Sequence, residues 1–379
     1  MNDLVSVVIP VYNGERYIAS TLRSVVEQSH ENLEILVVDD GSTDGTADIL
    51  KMLAQQDSRI NLFNQSNKGV AAARNLGIKA AQGAFVAPLD ADDIWHRERI
   101  AKQYRCLIDT PSDVGLVYSP WMNIDETGAR LSPCVGRNRF EGIVFFQLVT
   151  GNFLGSASTC LIKMACLAAV GLYDEKYFQQ RAQGCEDWDL YLRIARQFRF
   201  RFLPDCLTAY RQARQSMSVD VNQMMRSYDR MMSKLQGPES VVPACVFRWS
   251  RGAFLFYLGN RAIMARRPGL TVFLLFKMLS IDPVRALDPQ LWRTFVRCLP
   301  ANLRPVRGSK NTAPLSTSEN WGDLPAVSNR PVAVSGVLWD AARRRREGVV
   351  HRLQRELEWP ARLDQEPETS QGVSADSWT

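Results

Sequence analysis

The chain has 379 residues, of which 46% are hydrophobic and 23% charged, and its formal net charge is +6. Those values fit a globular protein of about two folding units and exclude both a disordered chain and a strongly basic nucleic-acid-binding one. The positive excess is concentrated in the C-terminal third and suits anionic partners such as nucleotides, phosphorylated lipids or a membrane face.

Eight cysteines are scattered without a Cys-x-x-Cys pair, and there are only three histidines. The pattern argues against structural zinc and predicts reduced thiols in a cytoplasmic protein. The N-terminus is apolar only from Leu4 to Val11 and lacks the basic region and length of a signal peptide. Leu270–Leu279 is apolar but interrupted by Lys277, too short to span a bilayer.

In chain order, Val5–Ile9 reads as a strand stopped by Pro10, which cannot donate to a sheet ladder. A loop, Val11–Glu15, leads to a helix with Ile18, Leu22, Val25 and Val26 on its apolar stripe. Leu33–Val38 is a second buried strand, ending in Asp39-Asp40-Gly41-Ser42-Thr43-Asp44-Gly45. A helix carrying Ala47, Leu50 and Leu53, a strand Ile60–Phe63, an alanine-rich helix Val70–Ala81 and a strand Ala84–Leu89 follow. Strands apolar along their whole length, alternating with helices, predict an α/β fold: a mainly parallel central sheet with helices on both faces.

In such sheets ligands bind beyond the C-terminal ends of the strands. Pro10–Glu15, Asp39–Ser42 and Asp90–Asp92 all fall there, so three polar clusters are expected to converge on one crevice. No Gly-x-Gly-x-x-Gly follows the first strand and no Gly-x-x-x-x-Gly-Lys-Ser/Thr loop occurs, which excludes the usual dinucleotide and phosphate-loop readings. Along an extended backbone Asp90 and Asp92 project to one side and Asp93 to the other. Two carboxylates that close resist joint ionisation unless a cation lies between them, and an oxygen-bound Mg2+ or Mn2+ shared with nucleotide phosphates resolves the conflict. The plainer reading is an acidic turn in which Asp92 or Asp93 caps a helix beginning near Trp95.

Leu116–Tyr118 and Ser156–Ile162 read as strands around a loop-rich stretch, Asn123–Arg139, and a short helix near Phe145–Val149. Glu186-Asp187-Trp188-Asp189 opens a helix through Arg196, and Phe200–Pro204 and Cys206–Tyr210 follow. Helices are expected from about Ser216 to Leu299, with a hairpin broken at Arg266-Arg267-Pro268-Gly269. The Pro-, Ser-, Asn- and Thr-rich stretch Asn302–Pro331 reads as a disordered linker. Gly336–Trp359 is a basic amphipathic helix, with Arg343–Arg346 opposite a stripe of Leu338, Ala342, Val349, Leu353 and Leu357. Four regions result: 1–218, a helical extension 219–300, a linker 301–335 and a basic helix with tail, 336–379.

The segments VSVVIPVYNGERYI, LEILVVDDGSTDGT, NKGVAAARNLGIKAAQGAFVAPLDADDIW, VGLYDE, EDWDLYLRIA and YRQARQSMS, at residues 4 to 218, resemble glycosyltransferase family 2. These are inverting enzymes with a nucleotide-diphospho-sugar transferase fold of type A. The resemblance implies that Pro10, Tyr12 and Glu15 line the base and ribose, and that Asp40, or alternatively Asp39, accepts a hydrogen bond from the base. A carboxylate there favours a UDP- or dTDP-linked sugar. It further implies that Arg74 lies near the nucleotide, that Asp92 ligates the metal, and that Asp90 serves the ribose or the metal. Asp187 of the Glu-Asp motif is then the catalytic base; its alternative role is helix capping beside Glu186 and Asp189.

One departure stands out. Where many relatives have Tyr-Arg-x-His, this chain has Tyr210-Arg211-Gln212-Ala213-Arg214, so Arg211 or Arg214 is left to steady the diphosphate. The expected function is inverting sugar transfer from a nucleotide-diphosphate donor to a glycan or lipid-linked glycan acceptor in surface polysaccharide synthesis. It would occur in the cytoplasm or at the inner membrane face, with peripheral membrane contact through the basic helix and no nucleic-acid partner. The competing reading is a catalytically silent sugar-nucleotide-binding protein that works through its C-terminal tail.

Overall fold

The computed structural model describes residues 3–136, 139–212, 220–238, 240–298 and 337–356. The expected linker over 301–335 lies outside them, as do Arg214 and Leu357. The strands are β1 (Val5–Val11), β2 (Leu33–Asp39), β3 (Ile60–Asn64), β4 (Phe85–Pro88), β5 (Ile94–Trp95), β6 (Val114–Tyr118), β7 (Trp121–Ile124), β8 (Cys160–Lys163), β9 (Arg199–Phe202) and β10 (Thr208–Arg211). The helices of the first half are α1 (Ile18–Val26), α2 (Thr46–Gln56), α3 (Val70–Ala80), α4 (Arg99–Ile108), α5 (Phe145–Thr150), α6 (Met164–Val170), α7 (Lys176–Gln179) and α8 (Glu186–Ala195). Beyond them come α9 (Val221–Ser233), α10 (Ala244–Met264), α11 (Pro268–Ile281), α12 (Pro289–Cys298) and α13 (Val337–Glu356).

Seven strands form the main sheet in the order β3-β2-β1-β4-β8-β6-β9, and β5-β10-β7 form a small second sheet. β1, β2, β3 and β4 are parallel, β6 and β9 are parallel, and β8 runs antiparallel to β4 and β6. β1 is buried at every position because both its neighbours and both sheet faces are covered. Its odd residues, Val5, Val7, Ile9 and Val11, pack with Leu22, Val25 and Tyr104 from α1 and α4. Val8 faces the opposite layer, with Ile78 of α3 and Leu190 of α8. That alternation puts helices on both faces, as expected.

Several local expectations are corrected. β1 does not stop at Ile9 but runs through Pro10, paired with Val38. Pro10 is tolerated because its missing N–H falls on the β4 side, where pairing already ends at Val8 and Pro88. No helix begins near Trp95: Ile94 and Trp95 pair with Ala209 and Thr208 of β10, and the helix starts at Arg99. The stretch expected as a strand from Ser156 opens with a 3-10 turn at Ala157–Thr159 before β8. Cys134 and Cys206 are joined in a disulfide, where reduced thiols were expected. The loop after β7 folds back on it through Ile124–Arg130 and Trp121–Val135 bridges, which carries Cys134 to the segment leading into β10, the parallel neighbour of β7.

The C-terminal helices share the core of the sheet. One continuous apolar cluster runs from Val8 and Leu116 through Trp188, Tyr228 and Phe254 to Leu275 and Val350. The Tyr228 and Phe254 rings stack at 4.4 Å, and the Tyr228 hydroxyl donates to Ser250. α13 packs on α5 and on the 3-10 turn at 283–287, with Val350 and Gln354 buried.

Candidate active site

The C-terminal ends of β1, β2 and β4 open into a cleft of about 1430 Å3, lined among others by Pro10, Tyr12, Asp40, Arg74, Asp90, Asp92, Asp187 and Arg211. Residues separated by up to two hundred positions thus meet in one place. The exception is Glu15, which lies outside that lining. Its carboxylate accepts from the Gly45 N–H at 2.8 Å, fastening the loop after β1 to the start of α2. Asn13, in the left-handed region at φ 51°, tightens the same junction by accepting from the Thr43 N–H.

Asp40 is almost fully buried, and its carboxylate accepts three protein donors: Gln65 Nε2 at 2.7 Å and the backbone N–H groups of Lys68 and Gly69. It therefore ties the end of β2 to the entry of α3. Gly69 is required there: φ is +89°, and a Cβ would stand 2.6 Å from the Phe178 ring. Asp39, the alternative base-reading residue, closes a turn by accepting from the Ser42 N–H and is not part of the lining.

Arg74 is not a surface residue of α3. It is 5% exposed, lies 5.1 Å from the Tyr173 ring centroid, and donates from Nη2 to Asp90 Oδ1 at 2.5 Å. Burial works against its charge, but Asp90, Tyr173 and Asp187 outweigh it and hold the guanidinium above the ordinary arginine range.

The acidic loop after β4 is a turn, not an extended strand, closed by the Asp93 N–H on the Asp90 carbonyl at 3.1 Å, yet it divides the carboxylates in the expected way. Asp90 and Asp92 line the cleft, whereas Asp93 is fully buried and accepts from the Arg211 N–H at 2.9 Å. Burial, with the neighbouring Asp90 carboxylate, pushes Asp92 up to about 6. Arg211 gives its side-chain donors to carbonyl oxygens of Asp92, Asp125 and Glu126 and lies over the Tyr17 ring at 4.6 Å. It braces the Asp92 loop from below while contributing to the cleft wall. Burial lowers its pKa, against the pull of Asp92.

Asp187 occupies the first turn of α8 and accepts from the Trp188 N–H at 2.7 Å. Burial pushes its carboxyl up to about 6; Arg74 opposes this and Asp90 reinforces it. Glu186 is buried beside it, accepts from the Gly184 N–H, and is pushed up to about 7 by burial. Asp189 belongs to a different network, pairing with Lys234 at 2.6 Å and Arg193 at 3.3 Å. No side chain caps α8, and of the three acids in its first turn Glu186 and Asp187 line the cleft whereas Asp189 does not.

Sequence reasoning missed two walls. Trp121 is wedged between Gly136 and Gly155, both at φ +87°, where any Cβ would come within 2.7 Å of the indole. Phe254, Tyr257, Arg261 and Met264 line the cleft from α10. A glycine on either side of a tryptophan is visible only in three dimensions. On α10 the linear signal was spacing alone, Phe254, Tyr257, Arg261 and Met264 recurring at helical intervals.

Among the described residues no cluster of three or more His, Cys, Asp or Glu is arranged to hold a metal. Asp90 and Asp92 still fit a hard divalent cation that takes its remaining ligands from water and substrate phosphates, since both are oxygen donors and like charges in one cleft.

Residues 6–164 match the profile of the family described as Glycosyl transferase family 2. An uncharacterized glycosyltransferase of Rickettsia conorii is 35% identical over 197 residues, 52% of this chain and 31% of that protein. TuaG of Bacillus subtilis, named for teichuronic acid biosynthesis, is 45% identical over 107 residues, 28% of this chain and 42% of that one. The chain spans 26% to 31% of the length of the Rickettsia relatives it matches. A mannosyltransferase of Pyrobaculum calidifontis, solved with GDP-Man and Mn2+, superposes with a TM-score of 0.52 at 18% identity, covering 79% of this chain and 84% of that one. The architecture is that of the type-A glycosyltransferases. The profile ends before Asp187 and Arg211, but the elements that carry Asp40, Arg74, Asp90 and Asp92 all lie inside it, and the chain carries a glycosyltransferase family 2 domain over residues 6–164.

Proposed function

We propose that this chain is an inverting glycosyltransferase that moves a sugar from a nucleotide-diphosphate donor to a hydroxyl of a glycan or lipid-linked glycan acceptor. The observation that carries the reading is the convergence of Asp90, Asp92, Asp187 and Arg74 on one cleft at the strand ends. Nothing in the packing of the fold requires three carboxylates to face a shared cavity, and their mutual repulsion costs stability that a bound cationic or phosphate-bearing ligand offsets.

In this reading the donor nucleotide lies against Pro10 and Tyr12. Asp40 has one acceptor position left beyond its three protein donors, enough for a single base N–H, which favours a UDP-linked sugar. A divalent cation bound at Asp92 and Asp90 would neutralise negative charge on the departing diphosphate. Asp187 takes the proton of the acceptor hydroxyl while that oxygen bonds to the anomeric carbon. The carbon's bond to the diphosphate breaks at the same time, and its electron pair leaves with the nucleotide. Arg74 holds Asp90 in place and keeps Asp187 ionised. Surface polysaccharide synthesis as the setting is supported by the name of the TuaG relative.

The test is a panel of UDP-, dTDP- and GDP-sugars with Mn2+, read by thermal shift and by nucleotide release with acceptor extracts. Stabilisation by UDP-sugars and release that depends on acceptor are expected. Stabilisation without any release would support a silent binding protein, and no stabilisation by any nucleotide would overturn both readings.

A further inference from the structure

The surface that departs most from a solvated face lies on α11 and α12, away from the cleft. α11 carries one charged residue, Lys277. Leu274, Leu275 and Met278 are buried against the core, yet Phe273 and Phe276 on the opposite face are 60% and 62% exposed. On α12 Trp292 is 54% exposed, with Val296 one turn on. These side chains form one patch, because Phe276 and Trp292 both meet Phe295, at 5.9 and 5.7 Å between ring centroids. The turn between the helices adds exposed Val284 and Leu287. Contiguous exposed aromatic surface of this kind marks an interaction site.

Charge identifies the occupant. Every exposed charged residue between 261 and 298 is basic: Arg266, Arg267, Lys277, Arg293 and Arg297. The two acids in that stretch, Asp282 and Asp288, are buried. A second copy of this chain would set those positive charges against each other across a two-fold axis. Aromatic anchors flanked by arginine and lysine instead match the headgroup layer of an anionic bilayer. None of the described helices is long and apolar enough to cross a membrane, so the contact would be superficial.

We propose that the outer face of α11 and α12, centred on Phe273, Phe276, Trp292 and Val296, docks onto an anionic lipid surface. The geometry gives that contact a use. α10 lines the cleft on one side and holds α11 on the other, where Thr271 Oγ1 donates to the Gly259 carbonyl at 3.1 Å. Arg266 and Arg267 form the turn between these helices, next to Met264 on the cleft wall. A chain seated this way ties α10, and with it one wall of the cleft, to the membrane through α11. The basic helix α13, the expected membrane contact, instead spends part of its inner face on the protein itself, with Val350, Gln354 and Arg346 engaged.

Flotation of the full chain with vesicles of phosphatidylcholine alone or mixed with phosphatidylglycerol tests this. Flotation with the anionic vesicles is expected, weakening at high salt. Phe276→Ser/Trp292→Ser should reduce it about tenfold or more by removing the interfacial aromatic anchors. Arg293→Glu/Arg297→Glu should also reduce it about tenfold or more, since each surface basic residue contributes on the order of 1 kcal/mol. The α13 variant Arg343→Gln/Arg344→Gln/Arg345→Gln should keep it. The second double variant carries the test should the first fail to fold, and melting curves monitor both. Absence of flotation, flotation unchanged in both double variants, loss in the α13 variant alone, or self-association abolished by the same substitutions would overturn the proposal.

Discussion

At the scale of single residues, the ionisation of Asp187 decides what the cleft can do at a given pH. A general base must be charged before it can take a proton, and burial has moved this carboxyl up to about 6. Turnover is therefore expected to rise as pH increases through about 6 and then level off. Asp187→Asn should lower kcat by about 10²- to 10⁴-fold with little change in donor affinity, because the nucleotide contacts lie elsewhere. Near-normal turnover by that variant would remove Asp187 from the mechanism. The sign of the Arg74 effect follows from its charge: the guanidinium stabilises the carboxylate, so Arg74→Met raises the pKa and moves the acid limb to higher pH. A pH profile of the two proteins checks it, and a limb that stays put would mean the two groups do not communicate. Asp92→Ala belongs to the same scale. It should weaken Mn2+-dependent donor binding, and an unchanged Mn2+ titration would refute its assignment as ligand.

At the scale of elements, close packing holds these side chains in register. Gly77 on α3 meets Val8 of β1 so closely that a Cβ would stand 2.6 Å from Val8 Cγ1. Val8 is fully buried and has nowhere to go. Gly77→Ala should cost about 1–3 kcal/mol by overpacking, measured in chemical denaturation, despite the better helix propensity of alanine. A more stable variant would show that α3 can slide. Arg74 lies one turn away, so the same substitution should also disturb the cleft. α9 is held differently: Asp174 accepts from Arg230 Nη2 and Lys234 Nζ, at 2.8 and 2.9 Å. Burial opposes ionisation of Asp174, but these two cations win and hold the carboxyl well below the usual carboxylate range. Because the folded pKa is depressed, the stabilisation is present above the unfolded value, about 3.9, and fades as pH falls below it. Asp174→Asn should thus lose about 2 kcal/mol at neutral pH and converge with the parent protein in acid. A constant difference across that range would contradict the ionic origin.

Legibility in the sequence followed the same division. β1, β2 and β4 could be read because their apolar runs are buried on both faces. The separation of Asp90 and Asp92 from Asp93 was read from strand alternation, although the loop that produces it is a turn closed by the Asp93 N–H on the Asp90 carbonyl. β5 and β7 could not: one is two residues long, the other has half-exposed Trp121, and both pair with β10, more than eighty residues away. The same non-local pairing displaced the expected helix start from Trp95 to Arg99. The bond between Glu15 and the Gly45 N–H was hidden for a related reason, since it depends on where α2 begins.

At the scale of the whole molecule, the C-terminal helices were readable as helices but not as a wall of the cleft, because nothing local specifies which face of α10 meets the sheet. The ion pair that closes the molecule is similarly non-local. Asp282, 4% exposed on its side chain, accepts from both terminal nitrogens of Arg346 at 2.8 and 2.5 Å, and Arg285 Nε lies 3.3 Å away. Arg346 also lies over the Trp249 ring at 5.3 Å, so one guanidinium joins α13 to α10 and to the end of α11. Replacing the acid leaves two cations without their shared carboxylate in a mostly dry site. Breaking such a pair costs about 3–5 kcal/mol, far more than a surface bridge, and salt screens it weakly. Asp282→Asn is therefore expected to release α13. Its amides should lose protection from hydrogen exchange while those of β1 and β2 keep theirs, and added salt should not reproduce the effect in the parent protein. If α13 keeps its protection in that variant, then Val350 and Gln354 are enough to hold it, and the helix is seated by apolar burial and the hydrogen bond from the Phe146 N–H to Gln354.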